Sequence, residues 1–130
     1  MQTQPLLSLL CLVAATLAGC GLYGAPTTPT AAMAQGDILV DAKGMSLYTF
    51  DRDIAGSGQS ACNGACAGNW PPLLAATDAS PHGDWTVILR ADGARQWAYR
   101  GKPLYRWLKD QAPGDRTGDG FNQVWHLARP

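Results

Sequence analysis

The sequence predicts an all-β or β-rich fold: one small domain of two related halves, with short hairpins and long Gly-rich loops. Three observations predict it. A ten-residue pattern stands twice in the same order, from Gly44 to Asp53 and again from Gly101 to Asp110. Short apolar and β-branched runs alternate with turns bearing Gly and Asp. The ten acidic residues are all Asp, beside fifteen Gly and nine Pro, and there is no Glu. Asp favours turns and caps over helix interiors, so long helices are disfavoured.

The chain opens on a segment of a different kind. Leu6 to Leu17 is almost wholly apolar, yet too short for a spanning helix, which needs about 20 residues. It reads as the hydrophobic core of a signal peptide over residues 1–19. Leu17-Ala18-Gly19-Cys20 follows and resembles the lipobox of bacterial lipoproteins, in which the small residues suit a peptidase cleft and the Cys thiol takes a diacylglyceryl group. Met1-Gln2-Thr3-Gln4-Pro5 departs from that pattern in carrying no Lys or Arg. Cys20 is therefore the expected lipidation site. From Gly21 to Gln35 the chain is rich in Pro, Thr and Ala without an apolar period, which predicts a flexible tether over residues 20–36. The folded part is then expected over residues 37–130.

Within that part, Ile38-Leu39-Val40 reads as a strand, Asp41 to Gly44 as a turn, and Met45 to Phe50 as a second strand. Trp85 to Arg90 and Gln96 to Tyr99 read as strands of a hairpin around Ala91-Asp92-Gly93-Ala94. Arg100-Gly101 turns the chain into Leu104 to Trp107.

The two copies of the pattern read Gly-x-x-Leu-Tyr-x-aromatic-x-x-Asp, supplying Tyr48, Phe50 and Asp53 in one and Tyr105, Trp107 and Asp110 in the other. Each is followed by a Gly-bearing loop and then a Trp, Trp70 or Trp125. Units this small seldom bury enough apolar surface alone, so the halves are expected to pack on each other about an approximate twofold. On a strand Tyr48 and Phe50 share one face, as do Tyr105 and Trp107. The expected role of all six motif residues is structural, with buried rings, partnered hydroxyls and Asp53 and Asp110 capping the loops that follow.

These residues resemble a family of predicted bacterial lipoproteins with a repeated Tyr-x-(Phe/Trp/Tyr)-x-x-Asp motif, the secreted repeat of unknown function. The stretches Ser60 to Leu73 and Pro113 to Trp125 resemble its other conserved segments, so the likeness covers nearly all of residues 37–130. It implies export, lipidation and the domain boundary, and implies no particular chemistry.

Four cysteines sort by position. Cys11 lies in the signal segment and Cys20 takes lipid, which leaves Cys62 and Cys66. In an oxidising compartment that pair is open to three readings: structural bridge, redox dithiol or metal pair. Residues four apart in a regular helix stand too far apart for a disulfide, but Asn63-Gly64 breaks the helix. The usual Cys-x-x-Cys of thiol oxidoreductases is absent, so a disulfide between Cys62 and Cys66 is expected. His82, His126, Met33 and Met45 make a weak metal set, and Asp115 to Gly120 resembles half a calcium loop whose twelfth position is His126. Asp51 and Asp53 would pair as carboxylates only if the strand ran on through them, and the second copy has Leu108 in place of Asp51. No cofactor or metal is expected.

Ten cations balance ten anions, all after residue 36, without a basic block, which argues against nucleic acid as a partner. The expected function is a membrane-anchored envelope lipoprotein, not an enzyme, that binds or scaffolds an envelope protein or small ligand. Gly21 after the anchor leads to the outer membrane in a Gram-negative source. The alternative is a thiol or metal redox protein using Cys62 and Cys66.

Overall fold

The computed structural model describes residues 32–130. The signal segment, Cys20 and residues 21–31 of the tether lie outside the described residues. The first element, β1 (Ala32–Gln35), is a strand. It pairs antiparallel with β2 (Ile38–Asp41), Gln35 opposite Ile38 and Ala32 opposite Asp41, around a two-residue turn at Gly36-Asp37. Residues 32–35, expected as part of the tether, are thus a paired strand, and the folded part includes at least the five residues before the expected boundary. The cause is Ala32, buried in the core although its small side chain gives no apolar signal. Asp37 then ties the turn to the chain end, accepting from Arg129 at 2.6 Å and from Arg116 at 3.3 Å. Those hydrogen bonds, Arg129's foremost, hold its carboxyl below the ordinary range.

Asp41 closes the next turn by accepting the Lys43 and Met45 N–H groups on one carboxylate oxygen. The remaining strands are β3 (Tyr48–Phe50), β4 (Trp85–Leu89), β5 (Arg95–Tyr99), β6 (Lys102–Pro103) and β7 (Trp125–Leu127). One five-residue helix, α1 (Ala65–Asn69), and a single 3-10 turn at Phe121–Gln123 complete the described residues. No helix among them is long and apolar enough to cross a membrane. The fold is strand-rich, as expected.

Two expected strands are more fragmented than the sequence implies, because they change partner at each step. Ser46 bridges Val40, Leu47 bonds to Leu39 and Ala128, and Tyr48 bonds to Tyr105, so the expected run from Met45 keeps only Tyr48–Phe50 as a continuous strand. The expected run from Leu104 to Trp107 divides in the same way, Leu104 going to Trp97 and Leu73 and Tyr105 to Tyr48.

The same partner changes reveal the approximate twofold. Around two residues of the first half and one of the second, Leu39 N–H donates to Ala128, Ala128 N–H to Leu47, and Leu47 N–H to Leu39, a closed ring of three bonds at 2.8, 2.8 and 3.0 Å. Around two residues of the second half and one of the first, Trp97 donates to Leu73, Leu73 to Leu104, and Leu104 to Trp97, at 2.9, 2.9 and 3.0 Å. Between the rings, Tyr48 and Tyr105 exchange both backbone bonds, at 2.8 and 3.0 Å. Leu47 and Leu104 hold corresponding places in the two copies of the motif, so the repeat in sequence is a repeat in space. The halves also interlock: β3 of the first half pairs with β7 of the second, Tyr48 opposite Leu127 and Phe50 opposite Trp125.

Side chains on the two faces of this framework form two clusters. One is aromatic and central, with Tyr48, Phe50, Trp70, Tyr105, Trp107 and Trp125 around Cys62. The other gathers the members of both rings, Leu39, Leu47, Ala128, Leu73, Trp97 and Leu104, beneath the β4–β5 hairpin. Close approach at the junction of the halves explains Gly101: its φ is +81°, and a Cβ there would stand 2.6 Å from the Gly56 backbone nitrogen.

Candidate functional site

The motif residues converge on the line where the halves meet, and they meet crosswise. Tyr48 hydroxyl donates to Asp110 at 2.6 Å, and Tyr105 hydroxyl donates to Asp53 at 2.6 Å. Each tyrosine therefore satisfies the carboxylate of the other copy of the motif, across 62 and 52 positions of chain. The second oxygen of each carboxylate closes its own loop: Asp53 accepts Ala61 N–H, and Asp110 accepts both the N–H and the hydroxyl of Thr117. Both tyrosines are fully buried. Burial and the neighbouring carboxylate push both phenols well above their ordinary range. Burial also raises the Asp53 carboxyl above 3.8, against the hydrogen bonds that lower it.

The aromatic partners cross in the same way. Phe50 stacks on Trp125 at 4.2 Å between ring centres, Trp125 on Trp70 at 3.8 Å, and Trp70 on Trp107 at 4.0 Å. Four rings thus form one column, its two central tryptophans related by the twofold. Tyr48 meets Trp70 edge-on at 5.4 Å and Tyr105 meets Trp125 at 5.1 Å, again as a symmetric pair. Gly118 sits against this column, where an added Cβ would lie 2.8 Å from Trp70 and 3.0 Å from Trp107.

One part of the site has no counterpart in the other half. Arg90, buried at the end of β4, donates to Gln96 Oε1 at 2.7 Å, to Ser60 Oγ at 3.0 Å and to the Cys62 carbonyl. Gln96, itself fully buried, passes a hydrogen bond on to the Leu104 carbonyl at 2.7 Å. Ser60 Oγ lies 2.7 Å from the Tyr105 hydroxyl. Tyr105 donates its proton to Asp53, so it accepts from Ser60, and a directed chain runs from the Arg90 guanidinium through two hydroxyls to the Asp53 carboxylate. Ser60 receives N–H donors from Arg90 and Cys62, the opposite of a nucleophile set beside a base.

Cys62 and Cys66 are joined by a disulfide with Cα atoms 5.2 Å apart, closing the loop whose Cys62 carbonyl receives Arg90. The chain-entropy treatment gives about 2 kcal/mol for so short a loop. Reduction is expected to lower the unfolding free energy by that amount, read as a fall in the denaturation midpoint at unchanged slope with dithiothreitol. An unchanged midpoint would mean that Arg90 and the core hold the loop unaided.

The remaining candidates stand apart from this site. Asp51 does not join Asp53, because the strand ends at Phe50; Asp51 pairs instead with exposed His126 at 2.8 Å. Asp115 accepts the Gln111 and Ala112 N–H groups and Asp119 accepts Leu127 N–H, which commits the half calcium loop to turns. His82 packs edge-on against Trp97, and Met33 is exposed. Among the described residues no three of His, Cys, Asp and Glu gather as a metal would need. A cleft of about 120 Å3 opens beside Asp53 and Ser60, below the roughly 300 to 1,000 Å3 of small-molecule pockets.

Sequence reasoning did not single out Arg90, Gln96 or Gly118. Arg90 has only its place after the apolar run Trp85 to Leu89 to mark it, and Gln96 looks like any strand residue pointing to water.

A family model described as a secreted repeat of unknown function matches residues 30–74 and again residues 86–129. Nothing matches among the curated proteins or among the solved structures. The two matched segments are the two halves joined by the crossed pairs.

Proposed function

We propose that this chain, which belongs to the family described as a secreted repeat of unknown function, is a non-catalytic lipoprotein of the cell envelope that binds or scaffolds another envelope component. The observation that carries the reading is the crossed pairing. The groups of the motif with catalytic potential, two phenols and two carboxylates, are buried and spent on one another, so the motif builds the domain and leaves recognition to its outer surface. The family's description as secreted supports a place outside the cytoplasm. The Leu17-Ala18-Gly19-Cys20 segment supports an anchor at Cys20, with outer-membrane sorting in a Gram-negative cell.

The anchor is tested directly. Cys20→Ala should abolish lipid labelling and release the protein from the membrane fraction while its melting temperature stays that of the parent. A substituted protein still bound as firmly as the parent would refute the anchor. A pull-down from native membranes addresses the partner, and an intrinsic-fluorescence titration addresses a small ligand.

A second reading, thiol redox chemistry at Cys62 and Cys66, draws on the half-exposed position of Cys66 in the disulfide. A free-thiol assay on protein taken from its native compartment separates the two. A large dithiol fraction would favour redox exchange, and a fully closed bridge the structural role.

A further inference from the structure

We propose that the aromatic column between the halves accepts single oxidising equivalents from oxygen-centred radicals and holds them as neutral tyrosyl radicals on Tyr48 and Tyr105. The inference is independent of the Cys20 anchor and of any binding partner.

Three oxidisable rings, Trp107, Trp70 and Trp125, lie in van der Waals stacking contact at 4.0 and 3.8 Å. An electron can pass along them without any movement of the chain. Trp107, covered by partly exposed Phe121 at 4.8 Å, is the least buried of the three tryptophans. Each tyrosine touches one of the two inner tryptophans, Tyr48 against Trp70 and Tyr105 against Trp125.

Electrostatics point the equivalent inward. Lys109 Nζ lies 5.9 Å from the Trp107 ring centre and disfavours positive charge there. Asp110 and Asp53 lie 2.6 Å from the tyrosine hydroxyls and favour it there. A phenol that loses an electron becomes strongly acidic, and each hydroxyl already points its proton at a carboxylate. Packing alone would ask for some partner to a buried hydroxyl, which a neutral amide could supply. A buried carboxylate is a costlier choice, and it is the choice made at both equivalent positions.

A peroxyl radical takes one electron from Trp107 and leaves as the hydroperoxide anion. Electrons shift along the stack until the deficit rests on Tyr48 or Tyr105. The tyrosine O–H bond then breaks, its proton passing to Asp110 or Asp53, and the products are a neutral tyrosyl radical and a protonated carboxyl group.

The test uses the full chain with laser-generated ruthenium(III) tris-bipyridine as the one-electron oxidant, followed by transient absorption and electron paramagnetic resonance. The expected product is a neutral tyrosyl radical that forms more slowly in heavy water. Tyr48→Phe and Tyr105→Phe should each leave a tyrosyl radical on the remaining tyrosine, at a yield no higher than the parent's, and the double variant should abolish it, because both tyrosines draw on the same stack. A yield unchanged in the double variant would place the radical on another tyrosine, such as half-buried Tyr99, and overturn the proposal. Should the variants fail to fold, the parent protein decides alone: no tyrosyl radical, or a rate identical in light and heavy water, refutes transfer to the carboxylates.

Discussion

Tyr48→Ala and Tyr105→Ala are each expected to destabilise the domain by about 3 to 5 kcal/mol, the usual cost of deleting a large core side chain. Both side chains are fully buried, and each deletion removes ring contacts to a tryptophan together with a hydroxyl that donates to a buried carboxylate. The two losses should be similar, since the twofold gives each tyrosine the same main contacts, a backbone exchange with its counterpart, an edge-on tryptophan and a crossed Asp, while Tyr105 alone also loses Ser60. Tyr48→Phe and Tyr105→Phe keep the rings and should cost less, about 1 to 3 kcal/mol for the carboxylate oxygen left unpaired. The crossed arrangement adds a sharper expectation. In double-mutant cycles Tyr48→Phe should couple with Asp110→Asn and act additively with Asp53→Asn, although Asp53 lies in its own copy of the motif. Thermal and urea melts of the six single variants and the two double variants check this. Melting temperatures unchanged in both Ala variants would sink the structural role of the motif.

That expectation also marks what the sequence could disclose. The repeat and the shared aromatic core are legible because equivalent residues stand in register along the chain, and period-two alternation places Tyr48 with Phe50 and Tyr105 with Trp107 on common faces. The crossing is not legible. An alignment tells which residues correspond and not which ones touch, and Asp53 faces away from Tyr48 only because the chain turns after Phe50. The start of β1 is hidden for another reason: Ala32 earns its burial by smallness, which no hydrophobic period records. Arg90 and Gln96 are hidden most completely. A charged residue after an apolar strand and an amide within one both read as solvent-facing until the disulfide loop of the other half is seen to cover them.

Arg90 should consequently be the most sensitive charged residue in the domain. Arg90→Met is expected to cost about 3 to 5 kcal/mol, because three acceptors of the buried network lose a charged donor together and each one left unsatisfied costs about 1 to 3 kcal/mol. The guanidinium serves acceptors on three separate segments: Gln96 on β5, Ser60 before the disulfide and the Cys62 carbonyl within it. Methionine fills most of the volume and answers none of them. Arg90→Lys keeps the charge and should recover only part of the loss, because a single ammonium cannot present the planar fork that reaches all three. By contrast Asp92, which stands 4.0 Å from Arg90 with its side chain largely exposed, should be replaceable by Asn at well under 1 kcal/mol. Urea denaturation of the three variants at neutral pH separates these cases, and hydrogen exchange locates the damage. Protection should fall together in the β4–β5 hairpin and in the loop around Cys62, since Arg90 is what joins them. Loss confined to the hairpin, or a cost for Arg90→Met no larger than that for Asp92→Asn, would show that the two halves hold together without this residue.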